Sequence, residues 1–71
     1  MNKDHLTTLL RQIRVEADLT QLQVAERLGH AQSYVSKYET GEQRLGLLEL
    51  DAICAVVGVS LVEFVERACE T

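Results

Sequence analysis

A chain of 71 residues is one domain at most, and at this size folding buries only about 60% of the unfolded chain's surface, which leaves little material for a catalytic cleft. Apolar residues make up 46%, Pro is absent and the aromatics are Tyr34, Tyr38 and Phe64 alone, a composition that favours an all-α fold. The net charge of −4 lacks the basic excess of an ordinary nucleic-acid binder, yet it is uneven: residues 1–48 hold six basic and six acidic side chains, whereas residues 49–71 set five acids against Arg67.

The first helix is predicted from Leu6, Leu9, Leu10, Ile13 and Ala17, an apolar stripe at helical spacing that ends near Asp18. Thr20 and Gln23 form a T-x-x-Q capping box that opens a second helix, with Val24, Ala25 and Leu28 inward. Gly29 suits the left-handed residue that stops it. A third helix runs from about Ala31 to Thr40, with Val35 and Tyr38 inward and Gly41 as its stop. Gly46 and Glu49 open a fourth, whose core stripe reads Leu47, Leu50, Ile53, Cys54 and Val57 before Gly58. Ser60 and Glu63 form a further capping box, starting a fifth helix with Leu61, Phe64, Val65 and Ala68 on one side. Helices two and three are too short to survive alone and must be held by packing.

Two short helices joined by a glycine-containing turn describe a helix-turn-helix over residues 20–40, although such hairpins also occur in other small helical proteins. The stretches "LRQIRVEADLTQLQVAERLG", "AQSYVSKYETG" and "LLELDAICAVVGVSL" resemble the phage-repressor (Cro-like) helix-turn-helix family, also called XRE. The likeness spans roughly residues 6–61 and keeps the family's five-helix order. It implies a compact lambda-repressor-like domain that binds double-stranded DNA and regulates transcription, with no cofactor.

A recognition helix must offer hydrogen-bonding side chains to base edges in the major groove. The third helix turns Gln32, Ser33, Ser36 and Lys37 outward, and the resemblance puts Gln32, Ser33 and Lys37 where family members contact bases. Gln32 suits adenine, Lys37 suits guanine, and Tyr34 is a candidate for a thymine methyl or a phosphate. By the same resemblance Gln21, Thr40 and Arg44 are phosphate contacts, and Arg14 and Glu39 a structural ion pair. The competing reading of the same face is an ordinary solvated helix surface. The chain departs from the family at His30, usually aliphatic, at Ala31, which cannot cap, at Leu22, usually polar, and at Leu45-Gly46, which lacks a common proline.

No apolar run approaches the roughly 20 residues of a membrane span, and no export leader is visible, so the expected setting is the reducing cytoplasm. His5 and His30 lack companions at metal-ligand spacing, and Cys54 and Cys69 fit neither a zinc nor a redox pattern. Cys54 is expected in the core. No nucleophile has an activating base beside it, so an enzyme is not expected. Leu48, Val56, Val62 and Cys69 are left apolar and outward on helices four and five, which span 47–70. They are the candidate surface of a homodimer, which the resemblance also implies. The alternative is a protein partner, as in antitoxins of this fold, gripped by the acidic fifth helix and its apolar patch.

Overall fold

Leu9, Leu10 and Ile13 fall on one side of the first helix and are almost fully buried, and around them the rest of the chain packs as helices. The computed structural model describes residues 3–70. Its elements are α1 (Lys3–Glu16), α2 (Gln21–Leu28), α3 (Gln32–Thr40), α4 (Leu47–Val57) and α5 (Leu61–Ala68). Helix α2 packs against α3 and α4, α1 against α3 and α5, and α4 against α5. The shared core is built from Val24, Ala25, Val35, Tyr38, Ile53, Cys54, Phe64 and Ala68, together with the α1 stripe.

Local chemistry explains the boundaries. Thr20 Oγ1 accepts from the Gln23 N–H at 3.1 Å, and Gln23 Oε1 accepts from the Thr20 N–H at 2.8 Å, so the expected capping box is complete. Gly29, at φ 76°, ends α2 with its own N–H on the Glu26 carbonyl and the His30 N–H on the Ala25 carbonyl. That paired closure needs a left-handed residue. The corner after α1 is closed in the same way, but there the left-handed residue is Asp18, at φ 60°. Helix α3 then starts at Gln32, behind an Ala31 that makes no cap bond.

Three sequence expectations change. Leu47 is 67% exposed, because α4 meets the core through its later turns, at Ile53, Cys54 and Val57. Val65 is 43% exposed, because the α5 stripe that meets the core is the narrower set Leu61, Phe64 and Ala68. At α5 only half of the capping box forms: Ser60 Oγ accepts from the Glu63 N–H at 3.0 Å, with no return bond among the described residues. At α4 the opposite half forms, Glu49 Oε1 accepting from the Gly46 N–H at 2.9 Å. Arg67 clamps α5 to α1 by two bonds to the Glu16 carboxylate at 3.0 and 2.9 Å. Among the described residues no helix is long and apolar enough to cross a membrane.

Candidate nucleic-acid interface

The α2–α3 pair owes its close crossing to Ala25, which is fully buried beside Val24 and Val35. With Val35 and Tyr38 facing the core, α3 turns its other side to solvent: Gln32, Ser33, Lys37 and Thr40 are exposed and Ser36 is half-buried. The Thr40 hydroxyl is turned back onto the Lys37 carbonyl at 3.1 Å. Arg44 lies in the loop that follows, exposed, and its guanidinium makes no hydrogen bond or ion pair among the described residues.

One flank of this face is fixed by Glu39, whose side chain is 3% exposed. Its carboxylate accepts from Arg14 Nε at 2.7 Å and a second guanidinium nitrogen at 3.2 Å, the bidentate pairing that suits arginine and carboxylate. Arg14 also donates to the Leu19 carbonyl at 2.9 Å, so one side chain ties α1, the α1–α2 corner and the end of α3 together. The ion pair expected between Arg14 and Glu39 is present. Glu39 further accepts from Gln21 Nε2 at 3.2 Å, which holds the half-buried Gln21 in place. Gln21 and Gln32 line a single shallow depression with Thr20 and Arg14, so the candidate phosphate contact and the first candidate base contact are neighbours.

The other flank is different from the expectation for Tyr34. This residue is half-buried against the core, and its hydroxyl donates to Glu49 Oε2 at 2.9 Å. Its ring stacks on His30, with centroids 4.0 Å apart and planes 13° from parallel, and meets Tyr38 edge-on. Burial first, and then Glu49, push its phenol up to about 12. Burial raises Tyr38 as well. Glu49 sits below the ordinary carboxylate range because the Gly46 N–H and then the Tyr34 hydroxyl stabilise its charge, with a further contribution from His30. Tyr34 therefore acts first as a strut between α3 and α4. The sequence marks His30 as a departure from the family and Glu49 as the opening of α4, but links neither to Tyr34. The i, i+4 spacing of His30 and Tyr34 was a visible signal, whereas Glu49 lies fifteen residues beyond Tyr34 with nothing local to link them.

Away from this face, Leu48 is 85% exposed and Val62 67%, and Cys69 is exposed, but Val56 is half-buried against the core. The exposed Leu47 and Val65 also lie on these two helices. Cys54 is buried, and burial raises its thiol. A cleft between α1 and the α3–α4 loop is lined by Leu6, Leu10, Tyr38, Leu45 and Arg44, with no carboxylate, imidazole or thiol to perform acid–base or nucleophilic chemistry. No group of three His, Cys, Asp or Glu side chains among the described residues is placed to hold a metal ion.

A family model described as helix-turn-helix matches residues 10–64. Two solved structures of the clp gene regulator ClgR from Corynebacterium glutamicum are similar in fold, each with a TM-score of 0.84 at 24% identity over 93% of this chain. The match covers 85% of one of those chains and 70% of the other. No curated protein is similar in sequence.

Proposed function

Since the chain belongs to the XRE-type helix-turn-helix family of DNA-binding transcriptional regulators, we propose that it is a homodimeric repressor that reads an inverted-repeat operator through α3. The observation that carries this reading is the way α3 is mounted. Its polar side, with Gln32, Ser33 and Lys37, is free, while Glu39 bolts its end to α1 and α2 through Arg14 and Gln21. A helix held this firmly presents side chains to base edges at small entropic cost, and bidentate contacts from residues such as Gln32 discriminate by about 1–3 kcal/mol each. Gln21, Thr40 and Arg44 would then set the register on the phosphates. Two copies joined through the exposed Leu48, Val62 and neighbouring apolar side chains would present two α3 helices at the spacing of successive major grooves, about 34 Å.

The test is mobility shift of the DNA upstream of its own gene, with Gln32→Ala/Lys37→Ala alongside. Specific retardation that the double variant loses supports the reading. If the folded wild type retards no specific fragment, autoregulation fails. The exposed apolar and acidic surface of α4 and α5 also supports a second use, capture of a partner protein. Sedimentation of the purified chain separates the two: a dimer abolished by Leu48→Glu with Val62→Glu assigns that surface to self-association, and a monomer assigns it to a partner.

A further inference from the structure

His30 lies in the turn between α2 and α3. It is exposed, yet its ring lies flat on Tyr34 at 4.0 Å, Tyr34 is tied by its hydroxyl to Glu49, and Glu49 is in turn held by the Gly46 N–H. Three elements thus fix one exposed imidazole: the α2–α3 turn, α3 and the start of α4. At the helical 3.6 residues per turn, Tyr34 lies about 60° around α3 from Lys37. The stack is therefore the border of the candidate reading face on the side opposite Gln21.

We infer that His30 is a DNA-backbone contact, its ring N–H donating to a phosphate oxygen at the edge of the groove that α3 enters, with Tyr34 and Glu49 as its positioning residues. This rests on the DNA-binding reading above and deepens it. With one face of the ring covered by Tyr34, its edge, which carries both nitrogens, is left to meet a ligand. Neutral imidazole always has one N–H donor, and a donor held in place before binding loses little freedom when it engages. Phosphate is the acceptor that fits the border of a reading face, where side chains reach the sugar-phosphate strand rather than base edges. The assignment also accounts for the cost of Glu49, a negative charge near the same border. Glu49 is exposed, but its two oxygens already accept from the Gly46 N–H and the Tyr34 hydroxyl, which takes up part of its charge.

The experiment is titration of the upstream duplex, and of a scrambled duplex of equal length, with wild type, His30→Phe, Tyr34→Phe, their combination and Lys37→Ala. His30→Phe keeps a flat ring for the stack and removes the donor. Loss of a hydrogen bond to a charged group predicts about tenfold weaker binding, equal on both duplexes because phosphate contacts carry no sequence information. Tyr34→Phe keeps the stack but frees it from Glu49; it weakens wild-type binding by about threefold and has no effect when His30 is already Phe. A purely structural role for Tyr34 predicts the same loss in both backgrounds. Far-ultraviolet circular dichroism confirms that each variant is folded, and His30→Gln, which restores an N–H donor, binds more tightly than His30→Phe. The inference is overturned if His30→Phe binds as wild type while Lys37→Ala does not, or if its loss is confined to the upstream duplex, which makes His30 a base reader. If Lys37→Ala also binds as wild type, the DNA reading of α3 itself fails.

Discussion

Replacing Glu39 by Ala tests the mounting of α3 most directly. The Glu39 side chain is 3% exposed and that of Arg14 is 13% exposed, so the substitution strands a guanidinium largely out of water. Breaking a buried ion pair from one side costs about 3–5 kcal/mol. Arg14 keeps its bond to the Leu19 carbonyl and some solvent, which lowers the expectation to about 2–3 kcal/mol. A chain of this length has roughly 4–10 kcal/mol in total, so a large fraction of its stability depends on this contact. The assay is urea unfolding followed by circular dichroism. With an m-value of about 1 kcal/mol per molar, the midpoint falls by about 2 M, and Tm falls by about 10–20 °C. Arg14→Met/Glu39→Leu removes both charges and fills the space, so it recovers most of the loss; coupling in the double-mutant cycle exceeds about 1 kcal/mol. A loss below about 0.5 kcal/mol for Glu39→Ala, or strictly additive single effects, refutes the view that this pair is what fixes α3.

Three further outcomes follow from other parts of the structure. Asp18→Gly relieves a left-handed backbone at φ 60° and raises stability by about 0.5–1 kcal/mol, measured as a higher urea midpoint, because glycine has no side chain to clash there. Glu16 is held below its ordinary value of 4.5, mainly by Arg67; a depressed carboxylate stabilises the fold at higher pH and loses that contribution as pH falls through its folded-state value. Thermal melts between roughly pH 3 and 6 therefore show a small acid-side loss that Arg67→Met reduces, as suits an exposed ion pair, and an unchanged limb contradicts the clamp. With Lys37 and Arg44 as the cationic candidates, the logarithm of affinity falls with the logarithm of salt at a slope of about −2 per protomer, read from binding titrations; a slope beyond about −8 for a dimer contradicts this charge map.

The parts of the fold that were legible in sequence are those decided within a few residues. Thr20 with Gln23 and Gly29 mark the start and stop of α2, Gly41 marks the stop of α3, and the α1 stripe marks its buried side. The Arg14–Glu39 pair came from the family resemblance, since nothing within 25 residues of separation couples the two locally. Leu47 and Val65 were misjudged for one reason: helical spacing gives a direction, but burial depends on whether a neighbouring helix reaches that far. The strut that Tyr34 makes is not legible in sequence, because its partner Glu49 lies on another helix. The candidate recognition residues Gln32, Ser33 and Lys37 are exposed, as a solvated helix face would be too.

The packing of α5 on α1 and α4 has a consequence for how the molecule meets its target. Residues 49–71 hold all of the net negative charge, two of its four units on α4, one on α5 and one at Glu70 beyond it. In the field of a polyanion such a molecule is an electric dipole that experiences a torque before it experiences contact. On the proposed reading it would turn its acidic side away and its α3 side forward, and encounters in the wrong orientation would be repelled instead of being held. Because the neutral end adheres weakly to arbitrary sequence, the protein would leave non-specific DNA quickly and search by repeated short landings more than by long slides along one duplex.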